Sequence, residues 1–171
     1  MTKKTLPIDS VCKALDAMEG TAGIGKNLFE SISRLTPAVS VELIIKSQDQ
    51  KSNLLTWRDD ELYGPGWHVP GGVVRFKETL SARVDKVLKQ EIAASAKKIE
   101  GPIGFHEIFN EQRDKRGHFI CFVYKVILSE DPPIETRAQD GTIVDGNWRW
   151  FTNCPDNLIK NQRPLVKYIN A

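Results

Sequence analysis

One carboxylate in the sequence stands out because it lies at the edge of an apolar helical stripe. Residues 79–93 form the strongest predicted helix of the chain, and its apolar positions recur at helical spacing: Leu80, Val84, Val87, Leu88 and Ile92. Glu91 follows Val87 by four residues, so its side chain projects from the edge of that stripe. A carboxylate in such a place is costly to bury unless it is paired or binds a cation.

The segment before this helix is compatible with a cation site. The sequence PGGVV, residues 70–74, brings bare backbone close to the helix. A glycine carbonyl and a carboxylate, completed by waters and substrate phosphates, make an oxygen shell suited to magnesium. An ion pair between Glu91 and a neighbouring lysine, Lys86 or Lys89, explains the spacing equally well. The residues alone leave both interpretations open.

The elements around this helix predict an α/β fold with a mixed sheet, because strands lie on both sides of one long helix. Residues 38–46 alternate apolar and polar side chains, which is typical of a half-buried strand. Further strands are predicted at residues 54–58, 101–109, 118–128 and 147–151, and short helices at 9–19, at 26–35, after Pro155 and after Pro164. The segment 129–146, rich in Pro, Asp and Gly, is a predicted loop.

Composition narrows the class of protein. The chain has 171 residues, which is enough for one domain. Its formal net charge is +2, so it lacks the excess of positive charge that attracts nucleic acid. No apolar run is long enough to predict a membrane span. Cys12, Cys121 and Cys154 are widely spaced, which indicates reduced thiols and therefore a cytoplasmic location. The stretch containing Gly20, Gly25 and Lys26 lacks the strand and the Ser or Thr of a P-loop, so we interpret it as a turn.

The glycine segment and the helix together resemble the Nudix box, G-x5-E-x7-R-E-U-x-E-E-x-G-U. Gly72 and Glu78 fit the first half, whereas the second half reads KVLKQEIAA over residues 86–94. Glu91 is therefore the one helix carboxylate of the box that is kept, and Ala93 replaces the box glycine. A box shortened in this way is similar to that of the GDP-mannose mannosyl hydrolases, a branch of the Nudix hydrolases. The similarity extends over residues 30–170 and includes Glu42 and Arg58.

The resemblance implies a Nudix-type α/β/α sandwich with a mixed sheet, with a Nudix domain at residues 36–171 and an N-terminal helical extension at residues 1–35. It also implies the reaction: water attacks C1 of the sugar in a nucleoside diphosphate sugar, and one Mg2+ stabilises the departing diphosphate. In this mapping Gly71 and Glu91 bind the metal, while Glu42 and Arg58 bind substrate. A homodimer is implied as well.

Two positions depart from the branch. The arginine that usually follows the glycine pair is Val73 here, and Arg75 compensates if it faces the same side of the extended chain. The Gln-His pair that supplies a metal ligand and the general base corresponds to Val144 and Asp145. Asp145 is then the candidate base, although the same aspartate is also typical of a local turn.

Other assignments for the base stay open. Residues 139–140, Gln-Asp, are a second candidate pair if the loop is offset, and His118 is a third candidate. Glu78 is expected to pair with Lys86, as the corresponding Glu and Arg of the box usually do. Two further functions also remain: pyrophosphate cleavage of a nucleotide or nucleotide sugar, and binding of a nucleotide sugar without turnover.

Overall fold

A mixed sheet forms the centre of the molecule. The computed structural model describes residues 7–21, 23–61 and 64–171. The strands in this part of the chain are β1 (Ala38–Lys46), β2 (Asn53–Asp60), β3 (Gly64–His68), β4 (Gly71–Val73), β5 (Ala96–Phe109), β6 (His118–Leu128) and β7 (Trp148–Phe151). The order is β3-β2-β1-β6-β5, with β4 paired to β1 and β7 paired to β2. The β1–β6 pair is parallel and the other pairs are antiparallel, so the predicted mixed sheet is confirmed.

Helices cover both faces of the sheet. The helices are α1 (Ile8–Asp16), α2 (Gly25–Ile32), α3 (Leu80–Ile92) and α4 (Val166–Ile169), with 3-10 turns at Ile134–Thr136 and Lys160–Leu165. On one face, Val41 and Leu43 of β1 pack in the same buried cluster as Val84 and Leu88 of α3. On the other face, Ile44 packs with Leu165, Ile169 and other residues of the C-terminal segment. The α/β fold class is confirmed.

Strand β1 is buried on both faces, not half-buried as its alternation predicts. Ser40, Glu42 and Lys46 stand at the polar positions of that alternation, and each of them is buried. The reason is tertiary, because β1 lies in the middle of the sheet and the C-terminal segment covers the face that the pattern assigns to water. Glu42 is thereby held inside the protein.

Helix α3 has well-defined ends. The Thr79 hydroxyl accepts a hydrogen bond from the Ala82 N–H at 3.1 Å, which caps the first turn. The helix ends at Ala93, whose φ of +50° is left-handed. Left-handed residues at this position are usually glycine, because a β-carbon is disfavoured there. The turn after Ala93 leads directly into β5.

The termini differ in part from the sequence prediction. The predicted helix after Pro155 is wrong. Leu158 forms an isolated parallel bridge with Trp67 there instead. The predicted helix after Pro164 is confirmed by α4. Helices α1 and α2 contain no buried residue, and residues 1–6 of the predicted extension lie outside the described part of the chain. None of the described helices is long and apolar enough to cross a membrane.

Candidate active site

Glu91 lies between two basic side chains. One carboxylate oxygen is 3.8 Å from Arg58 Nη2, and the other, Oε2, is 3.5 Å from His68 Nε2. Oε2 is buried and has no hydrogen-bond partner. Lys86 contacts Glu78 at 2.8 Å. The alternative prediction of an ion pair between Lys86 and Glu91 is therefore wrong. The retained carboxylate of the box therefore faces a site and not a neighbouring lysine.

His68 is a site residue that sequence reasoning missed. Its ring is buried, and its Nδ1 donates to the Thr56 carbonyl at 2.9 Å, because a carbonyl oxygen can only accept. Nε2 is thereby aimed at Glu91. In the sequence His68 is a histidine next to a glycine loop, and nothing in its spacing indicates a contact with Glu91. Its role depends on the antiparallel pairing of Thr56 with His68 between β2 and β3.

Glu42 and Gly71 form the second half of the site. They lie opposite each other in the β1–β4 pair, and a β-carbon on Gly71 would lie 2.5 Å from Glu42 Oε2. Gln162 donates to the same Oε2 at 3.1 Å. Burial and the nearby charge of Glu91 raise the pKa of Glu42 to about 8. Only glycine permits this close approach of backbone and carboxylate.

A cavity of about 110 Å³ lies beside the two residues that contact Glu91, Arg58 and His68, although Glu91 itself is not part of its lining. Its lining includes Glu42, Arg58, His68, Gly71, Arg116 and Asn161. Arg116 Nε and Asn161 Oδ1 are buried without a hydrogen-bond partner, so the cavity presents one donor and one acceptor to a ligand. Arg116 also has a left-handed φ of +52°. Sequence reasoning missed both residues, because they come from distant loops and match no motif.

The residues present fit a magnesium ion with few protein ligands. Mg2+ usually keeps several waters and is bound through one or two carboxylates plus substrate phosphates. Glu91 supplies a carboxylate oxygen that has no hydrogen-bond partner, and Glu42 supplies a second, buried carboxyl group. Gly71 brings its backbone, without a side chain, next to Glu42. In the described residues, no group of three or more His, Cys, Asp or Glu side chains could hold a metal. The donor set therefore suits one weakly held ion and not a cluster of ions.

Glu78 is structural, as expected. Its carboxylate contacts Arg83 at 2.6 Å and Lys86 at 2.8 Å, so the predicted pairing with Lys86 is confirmed. Burial tends to raise the pKa of Glu78, but the hydrogen bonds from Lys86, the Arg75 N–H and Arg83 outweigh it and lower the pKa to about 2. This ion pair fixes the segment between β4 and α3.

The candidate bases lie outside the lining of this cavity. Asp145 Oδ1 accepts from the Asp59 N–H at 2.9 Å, which places it beside the end of β2, one residue after Arg58. Asp140, in the alternative pair, contacts Arg149 at 2.9 Å. His118 Nε2 lies 2.8 Å from Glu107 on β5, and the next residue, Phe119, lines the cavity. Because side chains alternate along a strand, His118 points to the opposite face of the sheet from the cavity.

Arg75 also lies elsewhere. Together with Val73 it lines a larger cavity, of about 670 Å³, under the N-terminal segment. Its guanidinium lies against Gly23, where a β-carbon would be 3.2 Å from the guanidinium carbon. Val73 lines both cavities, whereas Arg75 lines only the larger one.

Comparison with solved structures identifies the fold. A MutT Nudix hydrolase from Burkholderia pseudomallei superposes with a TM-score of 0.61 at 18% identity, covering 77% of this chain and 97% of that chain. The Nudix domain of Shewanella oneidensis NrtR, solved with ADP ribose, has a TM-score of 0.50 at 19% identity, covering 82% of this chain and 81% of that chain. The fold is the Nudix fold, as the sequence predicts.

Sequence comparison shows the family. The chain is 31% identical over 115 residues to the low-salt glycan biosynthesis protein Agl8 of Haloferax volcanii, covering 65% of this chain and 72% of that protein. This chain belongs to the same family as that haloarchaeal protein. No protein-family model matches the sequence.

Proposed function

We propose that this protein is a magnesium-dependent hydrolase of a nucleoside diphosphate sugar of the GDP-mannose type. In the proposed reaction water attacks C1 of the sugar, and sugar and nucleoside diphosphate are released. The observation that carries the proposal is the position of Glu91, whose carboxylate lies between Arg58 and His68 and whose buried Oε2 has no hydrogen-bond partner. A structural remnant of the Nudix box would not need a carboxylate held in this way.

The polar groups of the smaller cavity support a sugar phosphate as the ligand. Arg58 and Arg116 provide cationic donors, and Asn161 Oδ1 provides a free acceptor. Arginine donors suit phosphate oxygens, and an amide oxygen suits a sugar hydroxyl. A relative that takes part in glycan biosynthesis, as its name states, is consistent with a sugar-containing substrate.

The shortened box supports attack at carbon over attack at phosphorus. Val87 replaces one box carboxylate and is buried in the core, with its methyl group only 2.8 Å from where a β-carbon on Gly72 would lie. Gln90 replaces another carboxylate and is exposed. Reactions at phosphorus often use two metal ions about 4 Å apart, which need more carboxylates than remain here. Attack at C1 needs stabilisation of the leaving group and a base for water.

In this proposal Gly71 and Glu91 hold Mg2+, with Glu42 beside them. When bound, the ion neutralises charge that develops on the departing diphosphate. Arg58 orients the diphosphate, and the His68 ring lies beside Glu91. Asp145 is proposed as the base that removes the proton from water. The cytoplasmic location and the homodimer remain part of the same proposal and rest on the cysteine pattern and on the resemblance.

Binding without turnover is the second candidate. It is favoured by the positions of the three candidate bases, because Asp145 is engaged by the Asp59 N–H, Asp140 by Arg149 and His118 by Glu107. A binding protein needs the phosphate and sugar contacts but no base. Pyrophosphate cleavage is the third candidate and would place the attack at phosphorus.

Isotope labelling separates these functions. GDP-mannose, ADP-ribose and UDP-glucose are incubated with the protein and MgCl2 in water enriched in oxygen-18, and the products are followed by phosphorus NMR. Unlabelled nucleoside diphosphate shows attack at C1 and supports the proposal. Label on a product phosphate shows pyrophosphatase chemistry and overturns it. Binding of a sugar nucleotide without any product establishes the binding protein instead.

A further inference from the structure

The larger cavity is built by the N-terminal segment and the loop that leaves β4. Its volume is about 670 Å³. It is lined by Gly20, Gly23, Ile24, Gly25, Lys26 and Phe29 from the N-terminal side, and by Val73, Val74, Arg75, Phe76 and Arg83 from the box side. Nothing in the proposed reaction uses this cavity.

The sizes of the two cavities show that the smaller one cannot hold a whole nucleotide sugar. Pockets for ligands of drug size have volumes of about 300 to 1,000 Å³. The Glu42 cavity, at about 110 Å³, is far below this range, whereas the larger cavity, at about 670 Å³, lies within it. Val73 lines both cavities, so the two cavities are adjacent.

The lining of the larger cavity suits an aromatic anion. Phe29 and Phe76 offer aromatic rings, and the Phe76 side chain is 64% exposed. Arg75 adds positive charge, whereas the Lys26 ammonium is paired with Glu61. The Lys77 ammonium lies 5.3 Å from the centroid of the Phe76 ring. The described residues that line this cavity include no acidic side chain. A nucleobase stacks on aromatic rings, and the phosphates of a nucleotide are attracted by cations.

We propose that this cavity is the nucleoside subsite of the hydrolase, with the base against Phe76 and the diphosphate running past Arg75 toward Arg58. The inference rests on the proposed function, since it places the nucleoside half of the same substrate. The N-terminal segment is then part of the substrate site and not a separate extension.

Contacts between the N-terminal segment and the Nudix domain fit this role. Gly20 allows the backbone to approach the Phe76 ring, where a β-carbon would lie 3.2 Å from the ring. Gly23, at a φ of +90°, does the same for the Arg75 guanidinium. Helix α2 is tied to the domain by Lys26–Glu61 at 2.9 Å and by Lys115–Glu30 at 3.2 Å. These contacts hold the cavity open between two parts of one chain.

The test measures the binding of the two halves of the substrate separately. GDP, ADP and UDP are titrated by calorimetry into wild type, Phe76→Ala and Phe105→Ala, and mannose 1-phosphate is used as the probe for the other half. Phe105 is the matched control, because it is an exposed phenylalanine on β5 that lines neither cavity. Phe76→Ala should weaken the best-bound nucleoside diphosphate about tenfold through lost stacking. Phe105→Ala should not change its affinity, and neither variant should change that of mannose 1-phosphate.

Each result separates the subsite from the proposed function. Unchanged nucleoside diphosphate affinity in Phe76→Ala, with sugar nucleotide turnover intact, overturns the subsite and leaves the hydrolase standing. Weakened affinity in Phe76→Ala without turnover in wild type supports the subsite but overturns the hydrolase. If wild type neither binds a nucleoside diphosphate nor turns over a sugar nucleotide, both are overturned. Melting curves of both variants establish that they are folded.

Discussion

Glu91 Oε2 lies 3.5 Å from Nε2 of His68, and the other nitrogen of that ring is committed to the Thr56 carbonyl. The helix and the strand that carry these two residues are thus joined at the site by a carboxylate and an imidazole. The Glu91 side chain is 24% exposed while Oε2 is buried, so the carboxylate lies at the edge of the protein interior.

Replacing Glu91 by Gln should weaken magnesium binding with little effect on folding. The amide keeps the shape of the side chain but removes the charge that attracts the cation, so the dissociation constant for Mg2+ should rise about tenfold or more. Calorimetric titration with MgCl2 measures the affinity, and a thermal melt measures the fold. Asp85→Asn is the control, because Asp85 is exposed on the same helix. Equal Mg2+ affinity in Glu91→Gln and wild type would remove Glu91 from the metal site.

Much of the fold followed from the sequence because hydrophobic periodicity reports local structure. The limits of β6 and nearly all of α3 were predicted from their apolar positions, and Glu91 was found from its place on the α3 stripe. Burial of Glu42 and the roles of His68 and Asn161 were not predictable, since they depend on which loops cover the sheet. The spacing of Arg75 from Val73 predicts that Arg75 faces the diphosphate, and the structure places Arg75 in the lining of the larger cavity.

The ion pairs of Glu78 should stabilise the protein in a manner that depends on pH. The folded-state pKa of Glu78 is about 2, below its ordinary value of 4.5, so the stabilisation is complete above pH 4.5 and is lost as the pH falls toward 2. Glu78→Gln should lower the free energy of unfolding by about 2 kcal/mol at pH 7. Urea unfolding at several pH values measures this difference, which should shrink between pH 4.5 and 2.

The exposed Glu135, changed to Gln, is the control for Glu78 and should leave the unfolding free energy unchanged. A Glu78→Gln deficit that stays constant down to pH 2 would show that its origin is packing and not charge.

Ala93 offers a stabilising substitution. At the end of α3 its φ is +50°, a left-handed backbone conformation. A residue with a β-carbon is strained in this conformation, whereas glycine is not. Ala93→Gly should therefore raise the free energy of unfolding by about 1 kcal/mol. Denaturant unfolding measures the gain, and Ala94→Gly, one residue later and without a positive φ, should show none. A loss of stability in Ala93→Gly would mean that chain entropy outweighs the strain at this position.

Asp145 can be tested as the base without disturbing its loop. Its Oδ1 accepts from the Asp59 N–H, and an asparagine oxygen can accept the same hydrogen bond. Asp145→Asn therefore keeps the loop against β2 and removes only the basic carboxylate. If Asp145 takes the proton from water, kcat for the sugar nucleotide should fall by a factor of about 10² to 10⁴, with a much smaller change in KM.

The alternative pair gives the comparison for Asp145. Asp140→Asn, which removes the carboxylate that contacts Arg149, tests the alternative pair in the same assay. A near-normal kcat in Asp145→Asn together with a large loss in Asp140→Asn would move the base to Asp140 and leave Asp145 as the residue that anchors the loop beside Arg58.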